Sequence, residues 1–101
     1  MLEMRPTCEN CNKALPNTSN EAMICTFECT YCTNCVDTVL HNVCPNCGGG
    51  FEKRPTRPTN CFTGACIEKY PTSTKIVHKP INKSKFEKVL EVFININPRK
   101  R

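Results

Sequence analysis

A chain of 101 residues has room for one domain, and ten cysteines with no tryptophan set it apart from an ordinary globular sequence. The formal charge of +5 is unevenly placed: residues 1–50 hold two bases against five acids, and residues 51–101 hold twelve bases against four acids. No stretch approaches the ~18 apolar residues of a membrane span, and the start "MLEMRPTCEN" has no apolar run of signal-peptide length, so a reduced cytoplasm is expected, where clustered thiols hold metal rather than disulfides.

In chain order, the first feature is a C-x2-C pair, Cys8 and Cys11. "AMICTFE" alternates weakly and predicts a short strand or hairpin arm ahead of Cys29. "TNCVDTVLHNV" predicts a short helix. Val36, Val39, Leu40 and Val43 fall on one face, Asn34 is placed to cap it, and Asp37 lies in its first turn. Cys35 then sits near a helix N-terminus, where the dipole favours a thiolate. "CGGGF" reads as a turn, Gly48 to Gly50 permitting positive φ. "EKRPTRPTN" is a basic, proline-bearing connector, and "IEKYPTSTKIVHKPI" reads as extended. "SKFEKVLEVFI" predicts a second helix with a Ser84–Glu87 capping box and an apolar stripe of Phe86, Val89, Leu90 and Phe93; Pro98 cannot continue it. The expected division is a cysteine module at 1–52, an extended connector at 53–83, an amphipathic helix at 84–95 and a basic tail at 96–101.

The first eight cysteines form four pairs: Cys8/Cys11, Cys25/Cys29, Cys32/Cys35 and Cys44/Cys47. A C-x2-C turn lets two sulfurs reach one ion, and eight such ligands make two tetrahedral four-thiolate sites, the usual holder of structural Zn²⁺. The first fifty residues offer few large apolar side chains, so staples are needed. Each bound ion would supply on the order of 10 kcal/mol or more of folding free energy. Two pairings compete. Sequential pairing would leave two small lobes. Crossed pairing, with Cys8, Cys11, Cys32, Cys35 at site 1 and Cys25, Cys29, Cys44, Cys47 at site 2, staples distant segments and is the expectation. Loaded with two Zn²⁺, the first half would carry about −7, so any basic surface must come from the second half. That half either meets a partner or folds back on its own acidic module.

The order and spacing of these cysteines resemble a RING finger, the crossed two-zinc fold, and the proline of "CPNC" suits that pattern. "LEMRPTCENCNKALP" and "EAMICTFECTYCTNCVDTVLHNVCPNCGGGFEKRPTRP" resemble more closely a family of small bacterial proteins, domain-of-unknown-function family 1272, over about residues 2–58. The resemblance implies a bacterial, cytosolic, zinc-binding protein. RING-type ubiquitin ligases typically place an apolar residue between the first two cysteines, where Glu9 and Asn10 stand here. They often place a basic residue after the last, where Gly48 stands. Ligase activity does not follow from the pattern alone.

The expected fold is thus a small metal-stabilised α+β protein, a RING-like crossed module with a basic helical extension. The expected function is non-enzymatic, since a four-thiolate zinc is coordinatively closed and no Cys–His, Ser–His or H-E-x-x-H arrangement appears. Protein–protein interaction is expected through the helix after Cys35, the Gly48–Phe51 turn or the tail helix. Phe51, Lys53, Arg54, Arg57, Phe86 and Phe93 are the candidate contact residues. Nucleic-acid binding by Lys53, Arg54, Arg57 and the tail lysines is the alternative. An exposed stripe with two phenylalanines is a liability, so packing of the tail helix on the cysteine module competes with partner binding. Cys61 and Cys66 read as spare thiols, with a redox pair or a third site shared with His78 as the other options; His41 reads as a surface histidine.

Overall fold

A tight reversal at Cys25–Cys29 builds the first element. Cys25 N donates to Cys29 O at 3.2 Å, Glu28 N donates to Cys25 O at 3.1 Å, and Glu28 takes the left-handed φ of 66° that closes the turn. In the computed structural model, which describes residues 1–101, this turn joins β1 (Ala22–Ile24) to β2 (Thr30–Cys32) as an antiparallel hairpin. Ala22 faces Cys32 and Ile24 faces Thr30. A third strand, β3 (Glu52–Lys53), pairs with the other edge of β1, giving the order β2-β1-β3. Strands this short bury little by themselves. Their work is to fix four cysteines: Cys25 and Cys29 at the turn, Cys32 at the end of β2, and Cys35 just beyond.

The predicted first helix is present but starts earlier and is shorter. α1 (Thr33–Cys35) runs directly into a wider π-turn at Val36–Leu40, which ends where His41 N donates to Val36 O. Its cap is Cys32, not Asn34: the Cys32 sulfur accepts from Cys35 N at 3.5 Å. The sulfur wins because β2 ends in an extended residue at that position, so the helix begins at once. The expected apolar face holds, with Val36, Leu40 and Val43 buried. His41 and Asn42 both adopt left-handed φ, 51° and 59°, which stops the helix and turns the Asn42 side chain to accept from Phe51 N at 2.9 Å.

The core forms where this helix meets the sheet. Tyr31 packs edge-on to Phe51, ring centroids 5.5 Å apart and planes at 79°. Leu15, Val36, Leu40 and Val43 complete it, together with six of the clustered cysteines and Phe86 from the second half. Phe51 and Phe86, nominated as contacts for a partner, are therefore core residues, 5% and 7% exposed. Phe93 also turns inward and packs against the same cluster.

The second half does fold back. Residues 54–82 carry no regular element yet are tied along their length. Arg54, 5% exposed, donates from its guanidinium to the carbonyls of Arg5, Leu15 and Pro16 at 2.7, 2.9 and 3.1 Å. Arg57 exchanges two bonds with the Asn17 side chain, at 2.8 and 2.9 Å, and donates to the carbonyls of Leu2 and Tyr70. Ser73 N reaches Met4 O at 2.8 Å. α2 (Lys83–Phe93) follows, capped by Asn82 and not by a Ser84–Glu87 box. Asn82 Oδ1 takes both Lys85 N at 3.2 Å and the Ser84 hydroxyl at 2.8 Å, so Ser84 donates where capping required it to accept. A short 3₁₀ turn at Pro98–Lys100 ends the chain's regular structure. No helix is long and apolar enough to cross a membrane.

Cys61 and Cys66 are not spare thiols. They are joined in a disulfide, their Cα atoms brought to 5.0 Å by a turn in which Gly64 holds φ 82°. His78 lies elsewhere, its Nε2 3.1 Å from Asn10 O.

Because Phe86 closes a core built mainly from residues before Phe51, Phe86→Ala is expected to destabilise the whole protein, by about 3 kcal/mol or more. Denaturant unfolding measures it; an unchanged midpoint would mean that α2 does not share this core.

Candidate metal centre

Two turns of the same build carry the outer cysteine pairs. In the first, Asn12 N donates to Cys8 O and Cys8 N to Lys13 O, both at 2.9 Å. In the second, Gly48 N donates to Cys44 O and Cys44 N to Gly49 O, both at 2.8 Å. Each turn reverses on a left-handed residue, Asn12 at φ 62° and Gly48 at φ 77°. Asparagine and glycine are the residues that accept that conformation most readily. The reversal aims both sulfurs of a pair to one side.

The sulfurs then meet in two groups. Those of Cys8, Cys11, Cys32 and Cys35 lie within 4.8 Å of one another, as do those of Cys25, Cys44 and Cys47. Cys11 and Cys32 are 3.7 Å apart. A tetrahedron with metal–sulfur bonds of ~2.3 Å has sulfurs about 3.8 Å apart, so the first group has the spacing a four-thiolate metal site requires. Cys29, expected as the fourth member of the second group, is not within that radius of all three. Its sulfur rests against Cys44 and Cys25 and accepts from Asn46 Nδ2 at 3.3 Å. Apart from Cys11, which is exposed, and Cys47, which is half-buried, these sulfurs belong to buried residues.

Packing thiols so closely makes them compete for charge. A hydrogen bond from Cys44, opposed by burial and helped by the Asn46 amide, pulls the Cys29 thiol down to about 5. The same bond, together with burial, pushes Cys44 up. Burial raises Cys25 to about 11 and also raises Cys32 and Cys35. At Cys11 burial is outweighed by the Lys13 backbone amide and by neighbouring thiols, and the net shift is downward. Without a cation, each group stabilises some thiolates only by keeping others protonated; a divalent ion removes that conflict.

Asn10 and Asn46 are the residues that cysteine spacing alone does not reveal. Asn10 Nδ2 donates to Cys35 Sγ at 3.3 Å, as Asn46 Nδ2 does to Cys29 Sγ. The two occupy the same place in their turns, "CENC" and "CPNC". A legible signal exists, since C-x-N-C occurs three times in the chain. The third asparagine, Asn34 of "CTNC", is exposed, and its carbonyl takes the Thr38 hydroxyl instead. Glu9, beside Asn10, is buried. Its carboxylate accepts from Arg5 NH1 at 2.9 Å and from Thr30 N, which locks the first turn onto β2. Of the candidate contact residues, Lys53 alone is fully on the surface; Arg54 and Arg57 are engaged as described above.

The hairpin, the helical turn and the two groups of sulfurs define a small α+β protein with two cysteine clusters able to hold metal. Residues 1–57 match the family described as protein of unknown function (DUF1272), and the chain belongs to that family. It is 51% identical over 80 residues, 79% of this chain and 89% of the other, to an uncharacterised protein of Rhizobium meliloti (strain 1021). That likeness is longer than the family match and so runs into the segment that wraps the module. No solved structure matches the chain.

Two outcomes are expected on metal loading. Cys25, Cys35 and Cys44, held protonated, must each give up a proton, while Cys29, already ionised above about pH 5, gives up none. Apparent affinity therefore rises with pH, and titration in weak buffer should release fewer protons than the eight clustered thiols could supply. Asn46→Ala should weaken metal binding by roughly 10- to 100-fold, read by competition with a chromogenic chelator; wild-type affinity would show that the amide contributes nothing to the site.

Proposed function

We propose that this chain is a non-catalytic zinc module whose two ions fold it and hold a surface for another protein. The observation that carries the reading is the first cluster: four sulfurs from segments separated by the hairpin, within 4.8 Å of one another. An all-thiolate tetrahedral set suits Zn²⁺, and Cys29 is the natural fourth ligand to Cys25, Cys44 and Cys47. With that completion the pairs interleave in the crossed order of a RING-like module. Four thiolates leave no open position for water or substrate, which supports a structural and not a catalytic role for both ions.

The surface for a partner is narrower than the sequence suggests. Phe51, Phe86 and Phe93 serve the chain's own core. Free apolar and polar groups remain at Phe27, 71% exposed on the Cys25–Cys29 turn, and on the outer side of the first helical turn, where Asp37, Thr38 and His41 are exposed. Gly48, the position after the last cysteine, lies under the Phe93 ring, which counts against a ligase-like use of that knuckle. Nucleic-acid binding keeps Lys53 and the tail lysines but loses Arg54 to backbone carbonyls.

Metal analysis is expected to find two zincs per chain, and chelator is expected to unfold the protein. Fewer than two zincs, or an intact fold in chelator, overturns the reading. Nucleic acid, if it binds, would show a steep loss of affinity with salt; the interaction reading expects no such binding.

A further inference from the structure

Asn10 faces three ways. Its Nδ2 donates to Cys35 Sγ at 3.3 Å, its Oδ1 accepts from Ile81 N at 3.0 Å, and its backbone oxygen lies 3.1 Å from His78 Nε2. Next to it, Glu9 O accepts from Lys79 N at 2.8 Å. The first cysteine turn is therefore the anchor for residues 78–81, which lead directly into Asn82, the cap of α2. The second turn anchors the other end. The Phe93 ring occupies the space beside Gly48, where an added Cβ would lie 2.3 Å from it, and Arg101 NH1 donates to Asn42 O and reaches Gly48 O at 3.5 Å. A segment more than sixty positions along the chain is thus strapped across both turns that present the outer cysteine pairs.

We infer that Asn10 couples metal occupancy of the first cluster to docking of this C-terminal strap. The inference rests on the zinc reading above. A bound ion fixes the Cys35 sulfur in place as the partner of the Asn10 amide. Holding Nδ2 on that sulfur leaves Oδ1 turned outward, set for Ile81 N. One primary amide cannot satisfy both partners unless both stay in place, so loss of the ion loosens the strap. By linkage, loss of the strap must lower affinity for the ion by the same factor. Asn46 makes the matching bond to Cys29, but no bond joins its amide oxygen to the strap, so the coupling belongs to the first cluster.

The test uses the full chain, titrated with Zn²⁺ or Co²⁺ against a competing chelator. Strap docking is followed by hydrogen exchange in residues 78–93 and by tryptic cleavage after Lys83. Stripping metal from the first cluster is expected to speed exchange across residues 78–93 and cleavage after Lys83. Asn10→Ala should shift the thiolate-to-cobalt charge-transfer bands, weaken that cluster roughly 10- to 100-fold and release the strap. Ile81→Pro removes the strap's donor, together with the Ile81 side chain that packs on the core, and touches no cysteine. It should still bind two ions, with affinity lowered several-fold at the first cluster and unchanged at the second. Two ions bound with strap protection indifferent to metal, or Ile81→Pro with wild-type affinity at both clusters, overturns the coupling alone. A chain that binds no metal overturns the zinc reading instead.

Discussion

The approach of Cys8 and Cys11 to Cys32 and Cys35 is the constraint on which the rest depends. It brings the N-terminal turn onto the end of β2, across the whole hairpin. The surrounding bonds serve that junction: Glu9 closes onto Thr30 N, Arg5 neutralises Glu9, and the Cys32 sulfur begins the helix that carries Cys35. A fold with so few large apolar residues leans on this junction to hold these segments. Four sulfurs this close also repel when ionised, and a cation held at their centre would relieve that repulsion.

The second group is built on the same principle with one difference. Its C-x-N-C turn superposes bond for bond on the first in hydrogen-bond pattern and in the left-handed residue that ends it. Its three sulfurs are joined at their edge by Cys29, from the tip of the β-hairpin, which an asparagine amide steers. Repetition of one turn sets one amide donor beside each of the two cysteine clusters. It also gives a role to two of the three asparagines that recur between the cysteines, Asn10 and Asn46.

The basic second half belongs to the same unit. Its charge invites a reading as a nucleic-acid surface. Yet Arg54 is buried among carbonyls, Arg57 braces the N-terminal strand of chain, and α2 gives Phe86 to the common core. Loaded cysteine clusters would leave the first half strongly negative, and a positive segment wrapped around it lowers the energy of both. The disulfide between Cys61 and Cys66 sits in this wrapping segment, apart from the eight clustered thiols.

Much of this was legible in the residues. Ligand-type spacing marked the eight cysteines, alternation marked the arm of the hairpin, and periodicity marked both helices, because such local patterns are set by near neighbours in the chain. The caps were misplaced, since Cys32 and Asn82 compete with Asn34 and Ser84 and only the entering backbone decides between them. Packing of the Phe86 stripe on the cysteine module was legible as one of two readings; the roles of Phe51, Arg54 and Asn10 were not, because each depends on a contact many residues away, and the pairing of Cys61 with Cys66 depended on a turn that spacing does not specify. By itself, then, the sequence determined the donor chemistry and the elements that carry it. The tertiary structure decided which sulfurs meet and that the tail closes over them, because those outcomes turn on long-range packing in a chain with little core to spare.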